Sequence, residues 1–197
     1  LTTIEPATPF KIYVCGITPY DATHLGHAAT YIAFDLINRY QQSAGNQINF
    51  VENITDIDDP LLVRAKRDSL KWKVLADNQV NLFLTDMTSL RVIPPAHLVK
   101  VTSSMKIIED FIERLDQRGF LYQVGRDHYF SVENFLDQMP LSNDNAIKVF
   151  SERGGDPERA GKKHPLDPVV WLAHQGDDTA WESKFGLGRP GWHVECT

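Results

Sequence analysis

Two apolar runs on either side of one amphipathic stretch constrain this chain more than any other feature. Phe10 to Cys15 is rich in Phe, Ile, Val and Tyr and reads as a buried strand. His24 to Gln42 carries Leu25, Ala28, Ala29, Ile32, Leu36 and Ile37 at helical spacing and stops near Gly45, after which Ile48 to Val51 reads as a second strand. Strand, helix and strand in such quick succession imply a parallel pair with a right-handed crossover. An α/β fold of that kind binds ligands in the crevice beyond the carboxyl ends of its strands. Cys15 and the segment Asn53, Ile54, Thr55 fall at those ends. Topology therefore places a site before any chemistry is considered.

With 197 residues, 42% of them hydrophobic, the chain can bury a core as one domain or as one domain with an insertion. Leu75, Leu82, Phe83, Met87 and Leu90 form a helical stripe that "VIPP" stops, and Met105, Ile108, Ile112 and Leu115 form another that Gly119 closes. Both stripes read as core packing. Phe120 to Val132 reads as a hairpin turning at Gly125 to Asp127. From Gly119 to about Pro168 regular periodicity is lost. The expected organisation is an N-terminal part of the domain over 1–118, an insertion over 119–168, and a return over 169–197 opening with "VVWL".

A net charge of -6 and a pI near 5.6 argue against a generally basic nucleic-acid surface. No apolar stretch approaches the ~20 residues of a membrane span and none resembles a secretory signal, so a soluble, cytoplasmic protein without a membrane partner is expected. Two cysteines far apart do not form a disulfide framework. The chain starts at Leu1 and stops within "GWHVECT", which reads as a fragment.

Chemistry concentrates in "THLGHA". His24 and His27 share one face of a first helical turn, and Gly26 between them removes a side chain that would keep a ligand from the backbone. A helix N-terminus offers N–H groups and a positive dipole end to phosphate, and imidazoles add donors where charge develops during attack on phosphorus. The same pattern equally suits two histidines that merely cap or line the helix start. Taken alone, Cys15 and Cys196 suit small buried hydrophobes better than metal ligands.

Three motifs in order change that balance. "YVCGITPYDATHLGHA", then "NITDIDDP" at Asn53 to Pro60, then "GRPGWHVEC" at Gly188 to Cys196 resemble the class I cysteinyl-tRNA synthetase family over most of the chain, with His24 to His27 as its HIGH signature. Within the family the chain is more similar to the mycothiol-pathway branch that joins cysteine to glucosaminyl-inositol. That likeness rests on "GITPYDATHLGHAATY", Pro60 in "DIDDPLLVRA", "LRVIPP" at Leu90 to Pro95 and "ERGGDP" at Glu152 to Pro157. A tRNA synthetase would more often carry Lys after Asp58 and Asp59.

The resemblance implies a Rossmann-like catalytic domain with an inserted segment, and it implies roles. His24 and His27 would be catalytic. Cys15 and Cys196 match zinc ligands, a third (His) and the KMSKS loop being expected beyond Thr197. An open zinc position would take cysteine's sulfur and reject serine. Cys15, Gly16, Ile17, Thr18, Gly26, Thr30, Asn53, Ile54, Thr55 and Trp192 match contacts to the cysteinyl-adenylate; Thr30 could instead bond its own helix, and Trp192 could be core. Asp56, Asp58 and Asp59 suit a helix-start charge pattern as well as a magnesium site and are left out. The implied reaction uses ATP with Mg²⁺ to make cysteinyl-adenylate, then passes cysteine to the amine of glucosaminyl-inositol, for which Arg153, Asp156 and Arg159 offer polar groups. A monomer without a nucleic-acid partner is expected. Cysteinyl-tRNA synthetase itself and a non-catalytic zinc- or nucleotide-binding relative remain as alternatives.

Overall fold

The computed structural model describes residues 9–138, 140–176, 179–191 and 194–196. The chain divides into two compact units, Leu1–Ser104 and Met105–Thr197. The first contains β1 (Phe10–Val14), α1 (Leu25–Ser43), β2 (Ile48–Ile54), α2 (Asp59–Arg67), α3 (Trp72–Ser89) and β3 (His97–Lys100). Its strands form a parallel sheet in the order β1-β2-β3, with Phe10 opposite Ile48, Val14 opposite Glu52 and Ile54 opposite Lys100. The expected strand–helix–strand unit is therefore present, with β2 between its two neighbours. One face of the sheet supplies Ile12, Val14, Phe50 and Ile54 to a core completed by Tyr31 of α1 and by Val80, Phe83 and Met87 of α3. The Tyr31 and Phe83 rings lie 5.0 Å apart.

Helix α1 forms where its spacing predicts it, but it buries Tyr31, Asp35 and Asn38. Leu25, Ile32, Leu36 and Ile37 of the apolar stripe are exposed. Hydrogen bonds explain the exchange. Asp35 accepts from the Ile93 N–H at 2.8 Å and from Arg39 at 2.6 Å, and Arg39 also reaches the Arg91 carbonyl at 2.5 Å. A carboxylate paired in this way can occupy a buried position that periodicity alone would give to Leu. Likewise β2 runs to Ile54, beyond the expected Val51, through the polar pair Glu52 and Asn53. The acidic residues after it serve the fold: buried Asp56 accepts from the Thr102 N–H at 2.9 Å and hydroxyl at 2.6 Å. Asp58 caps α2 through the Asp59 N–H at 2.8 Å.

The second unit contains α4 (Met105–Gln117), β4 (Leu121–Val124), β5 (Asp127–Phe130), α5 (Asn143–Glu152), β6 (Val169–Ala173) and β7 (Gly188–Pro190). Its sheet has the order β4-β5-β6-β7 and is antiparallel throughout. The expected hairpin is β4 and β5. "VVWL", read from the sequence as a return to the first domain, is β6, and Trp171 pairs with both His128 and Pro190. Helix α4 also groups with this unit. Its stripe, with Ile108 and Ile112 buried, shows that a face is covered without naming the sheet that covers it. Helix α5 has no fully buried residue, which is why no apolar period marks it.

Glu52 stands in the core-facing row of β2 between Phe50 and Ile54, 3% exposed. Burial pushes its carboxyl up to about 7. The neighbouring Tyr31 hydroxyl is held above its ordinary range by its own burial, then by Glu52 and by Cys15. The unfolded chain releases the Glu52 proton near pH 4.3 while the folded chain keeps it to about 7, so folding loses stability as pH rises through that window. Glu52→Gln should therefore match the wild type near pH 4 and gain on it up to neutral pH, by at most about 3 kcal/mol. Urea midpoints measured across that range check it. A constant gap would show that the carboxyl does not titrate differently on folding.

Candidate functional site

The carboxyl ends of β1 and β2 are tied together by one amide side chain. Asn53 Oδ1 accepts from the Gly16 N–H at 2.8 Å and from the Tyr13 hydroxyl at 3.1 Å, and its Nδ2 donates to Thr55 Oγ1 at 3.3 Å. The Thr55 N–H continues the tie to the Ile17 carbonyl at 3.0 Å. The chains approach so closely that a Cβ on Gly16 would overlap the Asn53 carbonyl, so only glycine fits there. Ile17 and Ile54 belong to the core. Anything they offer a ligand is main chain, and the Gly16 amide is already engaged. Cys15 lies just past the last paired residue with its side chain exposed, and its carbonyl accepts from the Tyr31 hydroxyl at 3.5 Å. Thr18 is half-buried, and its carbonyl accepts from the Tyr20 N–H at 2.9 Å.

The two histidines form a capping box at the start of α1. His24 Nδ1 accepts from the Gly26 N–H at 3.0 Å, and His27 Nδ1 accepts from the His24 N–H at 3.2 Å. Their rings lie 4.2 Å apart, tilted by 49°. A neutral imidazole that accepts through Nδ1 carries its proton on Nε2. Both rings therefore present an Nε2–H donor away from the backbone they cap. His27 is held below the usual histidine range, first by burial and then by His24. A Cβ on Gly26 would sit 2.8 Å from His24 Cε1, so this glycine makes room for the imidazole as much as for a ligand. The Thr30 hydroxyl donates to the Gly26 carbonyl at 3.1 Å, a bond within its own helix.

The loop entering α1 is pinned on two sides by residues that the sequence did not single out. Asp21 accepts from the Ala22 N–H at 2.8 Å and from Arg64 of α2 at 3.0 Å. The Thr23 hydroxyl donates to Asp86 of α3 at 2.5 Å. These partners lie 43 and 63 positions away, and no local pattern announces them. Beside His24, between the start of α1 and α3, lies a cavity of about 400 Å³ lined by Thr23, Ala28, Asp86 and Met87 among others.

In the second unit, Cys196 is a half-buried thiol 3.8 Å from Glu195 Oε1; Trp192 lies outside the described residues. Among the described residues no three His, Cys, Asp or Glu side chains come together to hold a metal ion. Cys15 and Cys196 amount to two thiols, fewer than the three protein ligands of an open zinc site.

"ERGGDP" folds back on its own unit. Gly154 ends α5 with φ of +94°, and a Cβ on Gly155 would overlap the Phe150 ring. Asp156 accepts from the Tyr129 hydroxyl at 2.5 Å and from Lys162 at 2.9 Å. The Lys162 ammonium also reaches the Asp156 and Pro165 carbonyls and lies over the Phe150 and Tyr129 rings. Arg159 pairs with buried Asp127 at 3.2 Å. Two of the three residues expected to meet inositol hydroxyls are thus engaged within the fold.

The family model described as the tRNA synthetases class I (C) catalytic domain matches residues 3–197. The chain belongs to that family. Its sequence is 49% identical to an L-cysteine:1D-myo-inositol 2-amino-2-deoxy-alpha-D-glucopyranoside ligase of Thermomonospora curvata, over 99% of this chain and 49% of the relative. It is 50% identical to the protein of the same name from Thermobispora bispora, over 98% and 49%. The chain spans about half the length of the curated relatives it matches. Among solved structures, Mycobacterium tuberculosis methionyl-tRNA synthetase bound by methionyl-adenylate aligns with a TM-score of 0.59 at 14% identity, over 75% of this chain and 36% of that one. This likeness places the α/β fold among the class I synthetases.

The capping geometry fixes a tautomer that can be read directly. ¹⁵N spectra of the full-length protein should show Nδ1 of His24 and of His27 as the acceptor nitrogen and the proton on Nε2; a protonated Nδ1 on either ring would overturn the capping reading. Because His27 is held low, the unfolded chain takes up that proton first as pH falls below about 6.5, and the stability the cap contributes is lost as pH falls further. Gly26→Ala should displace the His24 ring and cost about 1 kcal/mol, the usual worth of an N-cap.

Proposed function

We propose that this chain is part of an enzyme that activates L-cysteine with MgATP and transfers it to the amine of glucosaminyl-inositol, as the names of its relatives suggest. One observation carries the chemistry: both imidazoles at this helix N-terminus accept backbone N–H bonds at Nδ1, which leaves Nε2 of each ring as the donor. Donors fixed in advance by backbone capping need not reorganise as charge develops on the α-phosphate, which is the condition for stabilising the transition state more than the ground state. The cysteine carboxylate attacks the α-phosphorus, pyrophosphate leaves, and the acceptor amine then displaces AMP to give an amide. That amine must be neutral to attack.

Thr18 and the main chain of residues 15–18 and 53–55 would line the adenylate, with Thr30 and Trp192 beside it. Zinc belongs to this reading through Cys15 and Cys196 with a further ligand from outside the described residues. Its contribution would be selection of a thiol over a hydroxyl, and the steps above do not depend on it. We further propose that the enzyme is a cytoplasmic monomer that does not bind nucleic acid, with residues 119–168 as the inserted segment; among the described residues no helix is long and apolar enough to cross a membrane.

The family description favours a second reading, charging of cysteine tRNA. The acceptor separates the two, because both share the adenylate. Full-length enzyme should form the amide with glucosaminyl-inositol and leave cysteine tRNA uncharged. Efficient charging without amide would install the synthetase reading. His27→Ala should slow cysteine-dependent pyrophosphate exchange by about 100-fold with little change in cysteine KM. An unchanged exchange rate would remove the histidine from the mechanism. Asp156→Asn should lower the melting temperature while leaving the acceptor KM within about 2-fold, since its carboxylate is spent on Tyr129 and Lys162.

A further inference from the structure

The peptide plane joining Cys15 to Gly16 is held from both ends. Its N–H donates to Asn53 Oδ1 at 2.8 Å, and its C=O accepts from the Tyr31 hydroxyl at 3.5 Å. We propose that Asn53 and Tyr31 are positioning residues that clamp this plane and thereby set the direction of the Cys15 side chain, and that the Asn53 amide does not itself bind the adenylate. The proposal rests on the reading of residues 15–18 as part of a cysteine-activating site.

The hydrogen-bond inventory of Asn53 supports it. A carbonyl oxygen has two lone pairs, and Gly16 and Tyr13 take both at Oδ1, while Nδ2 donates to Thr55 Oγ1. A ligand arriving at the strand end finds both Oδ1 lone pairs and one of the two Nδ2 hydrogens already in use. Asn53 is buried in the central strand, and the absence of a Cβ on Gly16 lets the two backbones approach closely enough for the bond. Tyr31 is equally fixed. It is buried, and its ring packs on Phe83. Beyond Val14 the β1–β2 ladder ends, so at Cys15 these two side chains supply the constraint that strand pairing supplies elsewhere. Rotation of that plane would move the Cys15 side chain and the start of the Ile17–Thr18 segment together.

The test compares Asn53→Ala, Asn53→Asp and Tyr31→Phe in the full-length protein. Asn53→Asp keeps an acceptor for Gly16 and Tyr13, so it separates loss of the bond from loss of the fold should Asn53→Ala be unstable. Two readouts need no turnover: hydrogen exchange at the Gly16 amide, and the rate at which iodoacetamide labels Cys15 after metal has been removed by chelation. Asn53→Ala should raise Gly16 exchange by about 10-fold or more, as expected when a local bond opens. It should change Cys15 labelling in step, Tyr31→Phe should alter labelling in the same direction, and Asn53→Asp should restore both. In turnover, cysteine KM and kcat should shift with the alanine variant while ATP KM stays within about 2-fold. Unchanged exchange and labelling in Asn53→Ala would overturn the clamp. So would an equal rise in ATP KM in the alanine and aspartate variants, which would mark Asn53 as a direct adenylate contact. An enzyme that makes no cysteinyl-adenylate at all would sink the functional reading while exchange and labelling still decided the clamp.

Discussion

The ladder that holds β2 between β1 and β3 is the constraint on which the first unit depends. A strand paired on both edges and covered on its core face has no freedom to shift register, because a slip of one residue would turn every side chain to the other face. From Glu52 onward, this fixed strand delivers five consecutive residues with different duties: a buried acid beneath the site, an amide that ties β1, a core isoleucine, a threonine that extends the tie, and an aspartate that anchors the turn after β3. What sequence comparison marks as a motif is, in physical terms, the end of a strand that cannot move.

At the helix-start histidines, capping uses one ring nitrogen and leaves the other. An isolated H-x-G-H can be explained as a cap, and here it is one. The backbone N–H groups claim Nδ1 on both rings, so the outward nitrogen has only the role of donor left to it. A Ser and Glu capping box would satisfy the same backbone groups without presenting two N–H donors. Imidazoles leave the same helix start with an N–H donor on each ring that the cap does not use.

The strand–helix–strand unit and the hairpin were legible because they depend on neighbouring residues alone. Two kinds of information were not. Periodicity announced α1 but assigned burial to Leu25, Ile32 and Leu36, whereas Asp35 and Asn38 lie inside; Asp35 does so because its partners Ile93 and Arg39 satisfy it. Alternation likewise could not say that "VVWL" pairs with β5 and β7, since an apolar strand suits either sheet. Among the candidate site residues, the sequence could not give the hydrogen-bond partners that hold them. Pairs such as Gly16 with Asn53 and Thr23 with Asp86 are 37 and 63 positions apart. Gly26 gave a partial signal. Its small size was evident, while the ring that needs the space was not.

The internal engagement of "ERGGDP" has a bearing on how enzyme branches are told apart. Gly154, Gly155 and Asp156 each answer a mechanical demand: a left-handed turn, a flat ring lying against bare backbone, a buried ammonium in need of an anion. Such demands are strict, so a lineage that has once adopted this local solution will tend to keep it whatever small molecule it handles. A stretch can therefore serve as a label of descent without taking part in the choice of substrate. Residues that choose a substrate would then be sought where a change of side chain leaves the surrounding architecture intact.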